Sequence, residues 1–158
     1  MNRVVVIRHH RERVAKCSLQ PLVGRPGFRF LEAGPEFSFD AGGHTLLGLG
    51  GEVIGPADSG RPLLLLDGTW RYLPAMERQL RGAPCRRTLP AGLRTAYPRT
   101  SKLFADPARG LASVEALYAA LRLMGLPADT LLDGYRWKEE FLARNRGLLQ
   151  CPGSRGSS

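Results

Sequence analysis

The chain has 158 residues, 43% hydrophobic and 23% charged, enough for one ordinary core or two small lobes of a globular, soluble protein. No stretch approaches the about 20 apolar residues of a membrane span, and Met1-Asn2-Arg3-Val4 lacks a signal-peptide pattern, so the expectation is a cytoplasmic protein with no membrane partner. The net charge is +9, from 23 basic and 14 acidic residues, with lysine only at Lys16, Lys102 and Lys138; arginine's fork pairs with phosphate and stacks on bases, which favours a nucleic-acid partner over a merely solvated surface.

In chain order, Val4-Val5-Val6-Ile7 reads as a buried strand, being short, apolar and β-branched. Arg8 to Arg29 is basic and turn-rich, broken by Pro21, Gly24, Pro26 and Gly27. Alternation in Phe28-Arg29-Phe30-Leu31 and Phe37-Ser38-Phe39 predicts strands with one wet face, and Thr45 to Leu49 is a further strand. Gly48-x-Gly50-Gly51 lacks both the Lys-Ser/Thr of a phosphate loop and the full dinucleotide spacing, and is read as turns. Pro56 to Pro62 is the expected boundary between an amino-terminal lobe, 1–60, and a second region, 61–150.

Beyond it, Leu63 to Leu66 predicts a strand, Leu73, Met76 and Leu80 repeat at helical spacing, and Arg86 to Leu89 returns as a strand. Strand, helix, strand implies a parallel pair. Arg94 to Arg109 is a loop, after which Ser113 opens a helix with the apolar face Val114, Leu117, Tyr118, Leu121 and Met124, stopped by Gly125 and Pro127. A last helix is expected over Asp133 to Leu149, burying Tyr135, Phe141, Leu142 and Leu148 or Leu149, followed by a disordered tail from Cys151. There is no internal repeat. The class is α/β, a mostly parallel sheet flanked by helices.

Cys17, Cys85 and Cys151 are odd in number and far apart, which implies neither a disulfide framework nor a zinc site. His9-His10 with Cys17 makes no metal site either, because neighbours on a strand point to opposite faces. No metal is expected.

Asp67-Gly68-Thr69-Trp70 directly follows the Leu63–Leu66 run, so a carboxylate, a hydroxyl and an indole stand at the mouth of a buried strand, where α/β proteins put ligands. The plainer alternative is that Asp67 and Thr69 cap the next helix and Trp70 is core. The Asp67 turn, the loop after Leu89 and the helix start at Ser113 are expected to converge at one sheet edge. There Leu111-Ala112 offers backbone amides, Trp70 and Leu89 offer apolar walls, and Asp67 and Glu115 offer carboxylates, a set suited to a nucleoside with a charged tail. For Glu115 the competing reading is compensation of the helix dipole.

These residues carry a resemblance. Asp67-Gly68-Thr69-Trp70 resembles the D-x-T-W signature of the DTW-domain and ribosome-biogenesis aminocarboxypropyl transferase superfamily. In the same order, Lys16-Cys17-Ser18 resembles its Lys-Cys-Thr segment, Arg99-Thr100-Ser101-Lys102-Leu103 its Arg-Pro-x-Lys-Leu loop, and Leu111-Ala112-Ser113-Val114-Glu115-Ala116 its Leu-Ser-x-x-Glu-Ala helix start. The segment Tyr135 to Asn145 resembles its Phe-x-Trp-Gly-x-x-Phe-Leu-x-x-Asn element. Two departures stand out: the family's Asn-Pro-x-Asn-Tyr loop is here Arg94-Thr95-Ala96-Tyr97-Pro98, and the C-x-x-C pairs common in its tRNA-modifying branch are missing.

The resemblance implies a SPOUT-like fold with a carboxyl-terminal trefoil knot and S-adenosylmethionine as cosubstrate. By it, Asp67 and Ser18 would contact the ligand's polar groups, with Thr69, Trp70, Leu89, Leu111, Ala112 and Ser113 completing the site. Asp67, with Glu115 in reserve, would take the proton from a base nitrogen. Arg11, Lys16, Arg25, Arg99 and Lys102 would face RNA phosphates. The implied activity is transfer of an aminocarboxypropyl group to a pyrimidine of RNA, ribosomal rather than transfer RNA, by a monomer. Alternatives are a methyltransferase of the same fold and a non-catalytic RNA-binding assembly factor.

Overall fold

Two short apolar runs, Val4–Ile7 and Leu63–Leu66, lie side by side as neighbouring parallel strands. The structure is a computed structural model, and it describes residues 3–11, 19–68, 71–96 and 111–149. The strands in chain order are β1 (Val4–His9), β2 (Phe28–Ala33), β3 (Phe39–Asp40), β4 (Thr45–Val53), β5 (Leu63–Asp67), β6 (Leu80–Arg81) and β7 (Cys85–Thr88). Five of them form a sheet in the order β2-β1-β5-β4-β7, and β3 pairs with β6 separately. The pairs β1–β2, β1–β5 and β4–β5 are parallel.

Val4, Val5, Val6 and Ile7 are all buried, as are Leu63, Leu64 and Leu65. Strands covered on both faces read as continuous apolar runs, which is why β1 and β5 lack alternation. The in-register pairing puts Val4, Val6 and Arg8 on one face with Phe28, Phe30, Leu63, Leu65 and Asp67. On the opposite face Val5, Ile7, Ala33, Leu46 and Leu64 pack with Met76 of α1 (Leu73–Arg78).

The chain forms two compact units: Met1–Glu52 with Gly60–Thr88, and Val53–Ser59 with Leu89–Ser158. This division differs from the expected one at residue 60, because β5 sits between β1 and β4 and so belongs with strands from both sides of Pro56–Pro62. In the second unit, α2 (Ser113–Met124) buries Val114, Leu117, Tyr118, Leu121 and Met124, as its spacing predicts, and Gly125 ends it in the left-handed conformation at φ 80°. A 3-10 turn at Pro56–Asp58 packs against α2. Phe141, from α3 (Lys138–Arg144), meets Tyr118 edge-to-face with ring centroids 6.3 Å apart.

Four sequence expectations are corrected. Gly48 to Gly51 lies within β4 rather than in turns; Gly51 has φ 93°, and a Cβ there would collide with the backbone carbonyl of Arg86, so glycine serves close strand approach. Leu80 is not on the helix but in β6, opposite Phe39. β7 is not adjacent to β5, since β4 lies between them; a crossover fixes no adjacency. The last helix covers only Lys138–Arg144, preceded by turns that include Gly134 at φ 84°, with Tyr135 half-buried. Phe141 and Leu149 are buried and Leu148 is exposed. Among the described residues no helix is long and apolar enough to cross a membrane. The tail from Cys151 lies outside the described residues.

Candidate functional site

In the first unit, the strand that follows β1 in the main sheet is β2, on one side of it, whereas the next main-sheet strand after β5 is β7, on the other side. The chain therefore departs in opposite directions from the carboxyl ends of two neighbouring strands, which is a topological switch point and the usual location of a ligand crevice in open α/β sheets. Arg8 and Asp67 stand at these ends, paired in register. Arg8 is 9% exposed and Asp67 7%. The Arg8 Nε lies 3.6 Å from the Asp67 Oδ2, and the guanidinium carbon lies 5.4 Å from the centre of the Phe30 ring.

The other face of the same edge is aromatic. The His9 ring stacks on Tyr72 with centroids 3.8 Å apart and planes within 1°. Gly68 lets these groups approach, since a Cβ there would meet the Met76 sulfur at 3.2 Å and the His9 Cβ at 3.3 Å. The Arg11 amide donates to His9 Nδ1 at 3.1 Å, so the proton of the neutral ring sits on Nε2. Burial holds the His9 pKa below the usual histidine value, helped by the charges of His10 and Arg11. His10 donates from Nδ1 to the Ala33 carbonyl at 3.1 Å.

In the second unit, Glu115 is fully buried in the first turn of α2. Its Oε1 accepts from Thr95 Oγ1 at 2.6 Å and the Ala112 amide at 2.8 Å, and its Oε2 accepts from the Ala96 amide at 3.0 Å and the Tyr135 hydroxyl at 2.9 Å. Asn145, 1% exposed, holds the neighbouring residue. Its Oδ1 accepts from the Arg94 amide at 2.6 Å, and its Nδ2 donates to the Arg94 and Phe141 carbonyls at 2.7 and 2.8 Å. Arg144 donates to the Thr95 carbonyl at 2.6 Å. The segment Arg94–Ala96 is thus fixed by side chains of α2 and of the Tyr135–Asn145 region.

Of the expected site residues, the structure ties the loop after Leu89 to the start of α2 through Glu115. Leu89 is buried, and Leu111, Ala112 and Ser113 are half-buried. The Ala112 amide, expected to face a ligand, donates to Glu115 instead. Asp67 belongs to the first unit. Arg11 is exposed just beyond the carboxyl end of β1, whereas Arg25, with its guanidinium 5.9 Å from the Phe28 ring, precedes β2 and lies at the amino edge. A six-residue strand separates these edges by roughly 20 Å, so the two arginines do not form one cluster. Lys16, Cys17, Ser18, Thr69, Trp70, Tyr97, Pro98, Arg99 and Lys102 lie outside the described residues.

Arg8, Thr95, Tyr135 and Asn145 were not singled out by chemistry. A signal for Arg8 was present: each of two apolar runs ends in a charge, one positive and one negative. Among the described residues no three His, Cys, Asp or Glu side chains group to hold a metal ion.

Set beside solved structures, the chain is similar to the SAM-dependent rRNA:acp-transferase Tsr3 from Vulcanisaeta distributa, with a TM-score of 0.70 and 23% identity over 99% of this chain and 89% of that one. What the two share is the fold. No family model and no curated protein matches the chain.

Proposed function

We propose that the chain transfers the aminocarboxypropyl group of S-adenosylmethionine to a pyrimidine of RNA, with ribosomal RNA as the substrate class. The observation that carries this reading is the fold shared with Tsr3 along nearly the whole chain. Asp67, buried at the switch point of that fold, agrees with it.

Taken each by itself, the residues fit the cosubstrate by their chemistry: in the first unit Asp67, a buried carboxylate, suits an ammonium group, and in the second the apolar side chains of Leu89 and Leu111 suit the adenosine part. When bound, S-adenosylmethionine supplies a sulfonium whose three attached carbons are open to nucleophilic attack. Selection among them is a matter of position, so the chain's task is to orient and to exclude water. Asp67 orients the amino-acid part rather than removing a proton, and the proton of the base nitrogen leaves to water. Glu115 already accepts four hydrogen bonds from the protein. We therefore assign it to positioning Thr95–Ala96 and the start of α2, in place of the proton-accepting role that the sequence allows.

Ser18, Thr69 and Trp70 complete the cosubstrate site in this reading. Arg11 at the crevice rim, with Lys16, Arg99 and Lys102, meets RNA phosphates, and Arg25 extends the footprint to the far edge. The reading includes the SPOUT-like knot, an RNA-facing basic amino-terminal region, and a monomer acting in the cytoplasm.

The test is product analysis after incubation with S-adenosylmethionine and RNA lacking the modification. Release of methylthioadenosine is expected. Release of S-adenosylhomocysteine instead would identify a methyltransferase.

A further inference from the structure

We infer that Arg8 forms, with Asp67, a subsite for an α-amino-acid zwitterion, in which Arg8 takes the carboxylate and Asp67 the ammonium. The inference rests on the S-adenosylmethionine reading and adds a specificity residue to it.

The first argument is placement. On the shared face, β1 runs Val4, Val6, Arg8 and β5 runs Leu63, Leu65, Asp67, so the two strands stay apolar through their length and turn charged at the same level. That level is the carboxyl edge at the switch point, where ligands of open α/β sheets bind.

The second argument is energetic. Both side chains are about nine-tenths buried, and taking two charges out of water is costly, often more costly than an apolar pair of the same volume. The Arg8 Nε and the Asp67 Oδ2, 3.6 Å apart, hold the two charges side by side as a pair. A zwitterion bound beside it adds one attraction for each charge and no net charge.

The third argument is preorganisation. The guanidinium carbon lies over the Phe30 ring, 5.4 Å from its centre, a cation–π contact that favours keeping the group on this face of the sheet. Glu32 stands across from Arg8 on β2 and is exposed, whereas Asp67, across from Arg8 on β5, is buried.

The experiment measures binding of S-adenosylmethionine and of decarboxylated S-adenosylmethionine, which differ only in the carboxylate, to the full chain and to Arg8→Gln. The unaltered protein is expected to favour S-adenosylmethionine by about 10- to 100-fold. Arg8→Gln is expected to bind both ligands alike. If the unaltered protein binds the two equally, or if Arg8→Gln keeps the full ratio, the role of Arg8 is overturned while the cosubstrate reading stands. If the unaltered protein binds neither, the cosubstrate reading itself falls, and this inference with it. Arg8→Lys provides the same test should Arg8→Gln fail to fold, because it keeps a cation beside Asp67 but loses the fork. Its ratio is expected to drop by roughly threefold or more, and an unchanged ratio overturns the role.

Discussion

Arg8 and Asp67 occupy matching positions on adjacent parallel strands, and their charges meet across the carboxyl edge of the sheet with Nε 3.6 Å from Oδ2. Replacing Asp67 by Asn keeps the shape, removes the negative charge and leaves a buried guanidinium without it. S-adenosylmethionine binding is expected to weaken by about 1.5–3 kcal/mol, read by calorimetry. Unchanged affinity would take Asp67 out of the site.

Glu115 presents each carboxylate oxygen to one hydroxyl and one backbone amide. A hydroxyl can turn round and accept, but an amide cannot. Glu115→Gln must therefore point its own NH2 at either the Ala96 or the Ala112 amide, whichever way the side chain is flipped. Amide exchange at one of these two residues should rise, with a stability loss of about 2–4 kcal/mol. Tyr135→Phe removes a single donor, and its cost should stay near 1 kcal/mol. Exchange at both amides unchanged from the parent in Glu115→Gln would refute the positioning role.

Asn145 serves the Arg94 amide and the Arg94 and Phe141 carbonyls at once. Asn145→Ala removes all three side-chain bonds, leaving the Arg94 amide and carbonyl without this partner while the Phe141 carbonyl keeps the Asn145 amide, and should lower stability by about 1–3 kcal/mol in denaturant unfolding. Asn145→Asp should not restore it, because a carboxylate cannot donate to the two carbonyls. Full stability of the Asp variant would contradict this account.

His9 carries a pKa lowered from 6.5 by burial against Tyr72 and by the neighbouring charges. On acidification the unfolded chain takes up this proton first, so the folded state binds fewer protons in the window just below pH 6.5. Stability should therefore fall as the pH drops through that window and level off once the folded ring is also protonated. His9→Phe keeps the stack and should flatten this part of the profile. An unchanged slope would mean that other groups set it.

Gly51 combines φ 93° with the approach of the Arg86 carbonyl. Gly51→Ala adds both backbone strain and a collision, and should cost more than about 2 kcal/mol of stability. A thermal melt within a degree or two of the parent would contradict the close β4–β7 packing.

What the sequence made legible was whatever local pattern alone decides. The apolar runs at Val4 and Leu63 are β1 and β5, the spacing from Val114 to Met124 is the buried face of α2, and the place of Asp67 at the end of a buried strand follows from the run before it. Tertiary contacts decided the rest. Gly48 to Gly51 carries turn residues yet runs as strand because a neighbouring backbone needs the room. Leu80 fits a helical repeat yet pairs with Phe39. The role of Glu115 was hidden because three of its four donors, on Thr95, Ala96 and Tyr135, lie about twenty residues away. Only the donor at Ala112 has a spacing that a reader can see.

The most direct measurement of the central claim uses RNA lacking the modification and S-adenosylmethionine labelled separately in its methyl and its carboxyl carbon. The account predicts that carboxyl label enters RNA and methyl label does not. Methyl label alone in the RNA would contradict it.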